Sequence, residues 1–574
     1  MNSTPHQQRR IPAGRWRRDA LFIAVCVVAV VGFAGSLLPE LPTRHPLAEL
    51  SPSRGEHPKA SVIETAAAVD SAINDAALNN AALNNTSDVV ASVPPADRLT
   101  VARRLWLALM GTIPSLEEIR QLEASTTNAI TGDPPDAAEI DRMLDQVFAD
   151  PRHADYLAER LARAYVGVED GPFLLYRRRR FTAWLSDQLL ENRPYDAVVR
   201  EMLTARGLWT DQPAANFITV AFVDDNEDDR LDEALLTSRL SRALLGVRLD
   251  CAECHDHPFA DWKQRDFQGL AAFFAGTSPS LGGIRDDDTA YEVADRQTGE
   301  SFTVEPCVPF AASALPAAGS NRERLAGWLT SDENPAFARA TVNRVWALLL
   351  GRPLVEPVDD VPVGAAAPPA LDRLATAFTT SGYDLRALIR TIAHTEAFGR
   401  ASRSSDVEVS DATTGADSGW LAFPLTRLRP EQVVGALLQS AKVQTIDRES
   451  HVLVKLVRWI QQREFIERYG DAGAAELEPR TGTIPQRLVM MNGTLVTEKS
   501  GDNPLGTVAR VALLAPDDAA AIETTYLAVL TRRPTQPERE HFEQRLAETE
   551  LSRLHVLEDL YWSLVNSTEF SWNH

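Results

Sequence analysis

The sequence predicts a mainly α protein with minor β: a multi-helix extracytoplasmic body of two modules preceded by one transmembrane helix. Three observations predict it. Apolar residues recur at helical spacing through most of the chain, alternating strand-like patterns are scarce, and a charge-free stretch follows a basic amino-terminal segment.

Composition sets the frame for function. The chain has 574 residues, 44% of them hydrophobic and 24% charged, which is an ordinary globular balance. That length holds roughly three or four domains' worth of core at ~150 residues each. Four Cys exclude a disulfide-scaffold protein, and 30 Gly and 35 Pro exclude a collagen-like fibre. A formal charge of −22 excludes a general nucleic-acid binder, because grip on a phosphate backbone needs a concentrated basic surface.

Taken in order, residues 1–19 form a basic cytoplasmic segment with Arg9, Arg10, Arg15, Arg17 and Arg18. Residues 20–38 carry no charge, and nineteen residues at ~1.5 Å each make about 28 Å of helix, the thickness of a bilayer's hydrocarbon core. Five arginines ahead of the span hold that end in the cytoplasm, so the body is extracytoplasmic and the chain is a single-pass protein of the inner membrane. A cleaved signal peptide is the competing reading, with Ala34-Gly35-Ser36 as its small residues, but this apolar run exceeds the usual 7–15. Residues 39–95 read as a stalk rich in Pro, Ser and charge, then low complexity, with the tandem Ala76-Ala77-Leu78-Asn79-Asn80 and Ala81-Ala82-Leu83-Asn84-Asn85.

The first module spans about residues 60–280, with Leu236, Leu240, Ala243, Leu244 and Val247 on one helix face. A connector over 281–320 contains the best strand-like pattern, Tyr291 to Val308. The second module covers 321–570 and contains the stripes Val342, Val345, Trp346, Leu349, Leu350 and Leu385, Leu388, Ile389, Ile392, Ala393. Residues 401–418, full of Ser, Thr, Asp and Gly, read as a mobile loop.

The chemistry concentrates in Cys251-Ala252-Glu253-Cys254-His255-Asp256-His257-Pro258-Phe259. Cys-x-x-Cys-His is the attachment pattern of a c-type haem: two thiols two residues apart reach the two vinyl groups of one porphyrin, and the next imidazole reaches the iron. Export supports it, since covalent attachment follows export. Three other outcomes compete. The thiols could form a structural disulfide, Cys251, Cys254, His255 and His257 could gather zinc, or the pair could be a thioredoxin-like redox couple. On the haem reading His255 is the proximal iron ligand. No Met lies between Met202 and Met490, so the distal candidates are Met490 or Met491, a remote His such as His394, or no side chain at all.

Other clusters carry less. Asp224-Asp225-Asn226-Glu227-Asp228-Asp229 begins like a calcium loop, but has Asp229 where Gly is needed and Leu235 where Glu is needed. Arg177 to Arg180 read as a basic helix start. The phosphate loop, the Gly-x-Ser-x-Gly elbow and the zinc-protease helix are absent from the sequence, so catalytic residues are unknown.

Several strings in order resemble one family. Leu244-Leu245-Gly246-Val247-Arg248-Leu249-Asp250 running into the Cys-x-x-Cys-His segment, then Trp262 and Asp266-Phe267-Gln268-Gly269-Leu270-Ala271-Ala272-Phe273-Phe274, resemble the planctomycete cytochrome-c-like family, which joins two modules of unknown function in one chain. Arg103-Arg104-Leu105-Trp106-Leu107, Gly111-Thr112-Ile113-Pro114 and Asn192-Arg193-Pro194-Tyr195-Asp196 match its first module. Asn334-Pro335, Val342-Asn343-Arg344-Val345-Trp346, Gly351-Arg352-Pro353-Leu354-Val355-Glu356-Pro357, Tyr469-Gly470-Asp471-Ala472-Gly473, Pro485-Gln486-Arg487-Leu488 through Met490-Met491-Asn492-Gly493, and Tyr526-Leu527 with Arg533-Pro534-Thr535 match its second. The resemblance implies an exported, mostly helical protein with a possible haem site and no established activity. Many relatives have a small cytochrome-like module upstream, where this chain has its span and linker.

The expectation is therefore a membrane-anchored extracytoplasmic protein with one covalent haem c on Cys251 and Cys254, His255 on the iron, and electron transfer to a redox partner protein, without nucleic acid. The alternatives are a non-catalytic scaffold or binding module with a structural Cys-x-x-Cys holding a disulfide or zinc, and an enzyme acting on an extracellular polymer.

Overall fold

Where the sequence reads as stalk and low complexity, the chain folds into α1 (Lys59–Leu83), a helix of 25 residues. Its buried stripe is Val62, Ala66, Val69, Ile73 and Ala77, and because alanines also stand on the helix's other faces the stripe gives a weak periodic signal in the sequence. Covering Val69 and Ile73 alone contributes about 1.5–3 kcal/mol each. The stalk expectation for residues 39–95 is corrected over this stretch.

The computed structural model describes residues 59–574 except 84–92, 125–131, 169–177, 223–230, 281, 295–298, 364–366, 403–419, 447–451, 471–472, 474–476, 478–481, 494, 497, 499–505 and 549–550. The basic segment 1–19, the span 20–38, the acidic run 224–229 and nearly all of the loop 401–418 lie outside the described residues. Among the described residues no helix is long and apolar enough to cross a membrane.

Helix α2 (Arg98–Met110) starts where the Asp97 carboxylate accepts the N–H groups of Leu99 and Thr100, and stops at Gly111 with φ 66°. A side chain at Gly111 would run into the ring of Tyr156. Then come α3 (Leu116–Ala124), α4 (Ala137–Ala149), α5 (Pro151–Val166), α6 (Arg178–Leu190), α7 (Tyr195–Thr204), the single turn α8 (Asn216–Thr219) and α9 (Glu233–Leu240). After the loop that follows α9, α10 (Gln264–Ala271) leads into two hairpins. Strand β1 (Thr277–Ser280) pairs antiparallel with β2 (Gly283–Asp286), and β3 (Tyr291–Ala294) pairs antiparallel with β4 (Ser301–Val304), within the stretch read as strand-like.

The second half is helical again: α11 (Asn321–Leu329), α12 (Pro335–Leu350), α13 (Pro369–Thr380), α14 (Leu385–Ala393), the single turn α15 (Glu396–Gly399), α16 (Pro430–Ser440), α17 (Val452–Tyr469), α18 (Ile484–Asn492), α19 (Thr507–Leu514), α20 (Asp518–Leu530), α21 (Gln536–Glu548) and α22 (Arg553–Val565). A short pair of β5 (Thr426–Arg427) with β6 (Trp572–Asn573) closes the chain against α16. Mainly α with minor β is thus the observed class.

The hydrophobic interior does not divide at the 281–320 connector. One core takes side chains from Val69 to Phe423 and Leu477, with Trp106, Trp328 and Trp346 fully buried, so it mixes both modules. A second core is built from Leu428 to Phe570 together with Leu107 and Ile113 of the first module. Helix α2 therefore serves both cores from different faces. Its buried Arg103 and Arg104 act as hydrogen-bonding posts: Arg104 donates to the carbonyls of Phe398 and Arg400 at 2.7 Å and lies 3.6 Å over the Phe423 ring. Arg322 of α11 does the same in reverse, donating to Leu203 and Ala205 carbonyls at 3.0 and 2.8 Å and pairing with Asp286 at 2.7 Å. The described residues, all within 59–574, belong to one compact unit.

Candidate functional site

The Cys-x-x-Cys-His segment is a solvent-facing loop between α9 and α10. Helix α9 runs on into a wider turn, Ser241–Leu245, that ends at Gly246 with φ 63°. A left-handed residue is needed there, and Ala340 of α12 packs so near that a Cβ at 246 would be 3.0 Å from it. The carbonyl of Gly246 accepts the Val361 N–H at 2.6 Å. Arg242 and Arg248, on either side of this turn, both pair with Asp359 at 2.7 Å. Burial alone would raise the Asp359 carboxyl, but the hydrogen bonds from Arg248 and Arg242 outweigh it and hold it below the usual carboxylate range. The base of the loop is thereby pinned to the second half of the chain.

Asp250–Glu253 then make one tight turn, with Ala252 fully buried and its N–H bonded to the Leu249 carbonyl at 2.8 Å. This single inward alanine turns its neighbours out: Cys251, Cys254 and His255 are all exposed, and no disulfide joins the two cysteines. The loop is closed by Gln264, the first residue of α10. Its side-chain amide donates to the carbonyls of Glu253 and Cys254 at 3.3 and 3.2 Å, and its backbone N–H donates to Asp256 at 3.0 Å. That backbone hydrogen bond, with Lys263 3.3 Å away, lowers the Asp256 carboxyl. Beneath the loop, Trp262 packs on Phe310 and Phe310 on the buried Trp328, with ring centroids 6.2 and 5.2 Å apart.

The two histidines are held in opposite ways. Nδ1 of His255 lies 2.7 Å from the carbonyl oxygen of Asp256, which can only accept. In the neutral ring this puts the proton on Nδ1 and leaves the lone pair on Nε2, facing solvent. That is the arrangement of a metal-bound imidazole, whose other nitrogen donates to a carbonyl or carboxylate. Nδ1 of His257 instead accepts the Phe259 N–H at 3.2 Å, so its lone pair is engaged inside the loop. The residues thus fit a haem tether with His255 on iron. They fit a zinc tetrahedron poorly, and among the described residues no group of three or more His, Cys, Asp or Glu stands together to hold a metal.

The distal candidates are placed elsewhere. Met490 is buried in the second core, which also holds Phe465 and Tyr469, while the loop rests on the first. Met491 is exposed on α18, and His394 is half-buried, its side chain covered and its Nε2 3.1 Å from Asp141. None of them is brought to His255. Gln264 and Asp359 are the supporting residues that sequence reasoning missed. Neither has a local signature, since a glutamine opening a helix and an aspartate one hundred residues downstream look ordinary.

The fold and the site together define a mainly helical, two-module protein with an outward Cys-x-x-Cys-His loop at the end of its first module. Comparison with known families agrees in outline. Residues 79–279 match the family model PSCyt2, described as a protein of unknown function (DUF1549), and residues 321–451 match PSD1, a protein of unknown function (DUF1553). Both domains therefore stand in one chain, in that order, and the loop falls within the first. No curated protein and no solved structure matches the chain.

Proposed function

We propose that the chain is a membrane-anchored, extracytoplasmic protein that carries one covalent c-type haem on Cys251 and Cys254, with His255 as iron ligand, and exchanges electrons with another protein. The observation that carries this reading is the Nδ1 contact of His255 with the Asp256 carbonyl, which readies Nε2 as a donor beside two exposed thiols. When bound, the haem supplies a one-electron iron couple.

The chain's own residues do the rest. Cys251 and Cys254 offer their sulfurs on one tight turn, so each S–H can add across a vinyl group and leave a thioether. The Asp256 carbonyl fixes the imidazole, Gln264 holds the carbonyls on either side of Cys254, and Asp359 anchors the turn through Arg242 and Arg248. Such a covalent tether needs no enclosing pocket, which suits a loop this open to solvent.

The test is to express the exported form in a host with a c-haem maturation system. Peroxidase staining on a denaturing gel and an added mass of one haem are expected, and both disappear in Cys251→Ala/Cys254→Ala. Apoprotein mass alone, where a control cytochrome is matured, overturns the haem. For the anchor, release by a carbonate wash overturns a retained span.

A further inference from the structure

Strands β3 and β4 pair only with each other, among the described residues, and make a two-stranded sheet. Their register sets Tyr291 opposite Val304 and Val293 opposite Phe302, so these four side chains share one face. That apolar row is not buried: Phe302 is 46% exposed, and the other three are only half-covered. A two-stranded hairpin with a bare apolar face is marginal in water on its own.

One residue of the row, Tyr291, is linked electrostatically to the candidate site. Tyr291 is within electrostatic reach of Glu233, Glu253 and Asp232, and burial together with these three carboxylates raises its hydroxyl. Glu253 stands between the two cysteines of the loop. A second bare apolar group, Phe259, is on the same loop and is 94% exposed. Carboxylates outnumber bases in both segments, five to two between Asp250 and Asp266 and seven to one arginine between Asp286 and Glu305, with Asp256 paired to Lys263 and Asp286 paired to Arg206 and Arg322.

We infer that the apolar face of the β3–β4 hairpin, with Phe259 of the adjoining loop, is the docking surface for the redox partner, and that this partner presents an apolar centre ringed by lysines and arginines. Charge complementarity selects this occupant. A second copy of the same face would bring like charges together at the contact, on a chain already at −22. A basic partner instead gains steering from the carboxylates and closes its apolar centre on Phe302 and Phe259, which places it against the turn that carries Cys251 and Cys254. That the partner is a redox protein rests on the electron-transfer reading above; the face and its charge do not.

The experiment uses the full chain as expressed, with or without haem, and a synthetic lysine-rich peptide with a central pair of tryptophans as the probe. Affinity is measured by titration calorimetry at low and at high salt for wild type, Glu253→Gln/Glu292→Gln/Glu305→Gln, Phe302→Ala, and a control, Glu540→Gln/Glu543→Gln/Glu548→Gln on α21. The triple variant on the docking face is expected to lose about tenfold at low salt, and the control of equal charge less than about twofold. Phe302→Ala is expected to lose affinity at both salts. Equal losses in the two triple variants, or none in the first, overturn the docking face. Because binding is read on protein that need not carry haem, a chain that never acquires haem refutes the redox reading while leaving this comparison intact.

Discussion

The backbone N–H of Cys307 donates to the carbonyl of Gly269 at 3.2 Å, and the sulfur of Cys307 fills the space where a side chain at 269 would begin. The segment that leaves the second hairpin is thus laid directly on α10, the helix whose first residue clamps the Cys-x-x-Cys-His loop. A Cβ at 269 would collide with that sulfur and stand 2.9 Å from the Cys307 carbonyl oxygen, so glycine is required by proximity and not by backbone angle.

Gly269→Ala is therefore expected to destabilise the protein by ~1–3 kcal/mol, the usual result of forcing a methyl into filled space. Adding Cys307→Ala should recover only part of the loss, because the sulfur is removed and the carbonyl stays. Denaturant midpoints of the two variants check this; full recovery would show that the sulfur alone fills the space.

The two cores should be coupled through Glu431. This carboxylate, at the start of α16, pairs with Arg160 at 3.2 Å and Arg163 at 2.7 Å on α5, and both guanidiniums are buried. Breaking a buried pair by removing one partner costs about 3–5 kcal/mol, since the remaining charge stays out of water. Because Glu159 still lies 3.3 Å from Arg163 and 3.9 Å from Arg160, Glu431→Gln is expected to cost less than that, about 1–3 kcal/mol, in chemical denaturation. Glu467→Gln removes the exposed i,i+4 pair with Arg463 at 3.1 Å and should cost less than about 1 kcal/mol. Equal losses would mean that the Glu431 network has no special weight.

These couplings show what the sequence can and cannot carry. The helical class was legible because stripes such as Leu385, Leu388, Ile389 and Ile392 repeat at helical spacing and are all buried. Helix α1 was not, because alanine occurs on all its faces and its carboxyl-terminal half adds Asn74, Asn79 and Asn80, a composition shared with linkers. The loop was legible because its chemistry is in the residue types themselves. What holds the loop was not, since the bond from Arg242 to Asp359 spans more than a hundred residues and leaves no local pattern. The merging of the modules was equally hidden: Leu105 and Leu107 read alike in sequence, yet one packs in the first core and the other in the second.

The attachment of α1 should depend on pH through Asp70. Its carboxylate accepts the Glu396 N–H at 2.9 Å at the start of α15, with Glu396 as a like charge nearby and Arg400 as the opposite one. Burial is the largest effect and outweighs the backbone hydrogen bonds, raising the carboxyl from 3.8 to about 6. The sign follows from linkage. The folded chain holds this proton more tightly than the unfolded chain, so the stabilisation is full below pH 3.8 and is lost as pH rises through about 6. Asp70→Asn keeps an acceptor oxygen for the Glu396 N–H and removes the titration. Its stability relative to wild type should therefore rise between pH 4 and pH 7, by on the order of 1–2 kcal/mol. Urea unfolding of both proteins across that range measures the difference, in which the other titrating groups cancel. A constant difference would show that Asp70 releases its proton equally in both states, and that α1 is held without regard to pH.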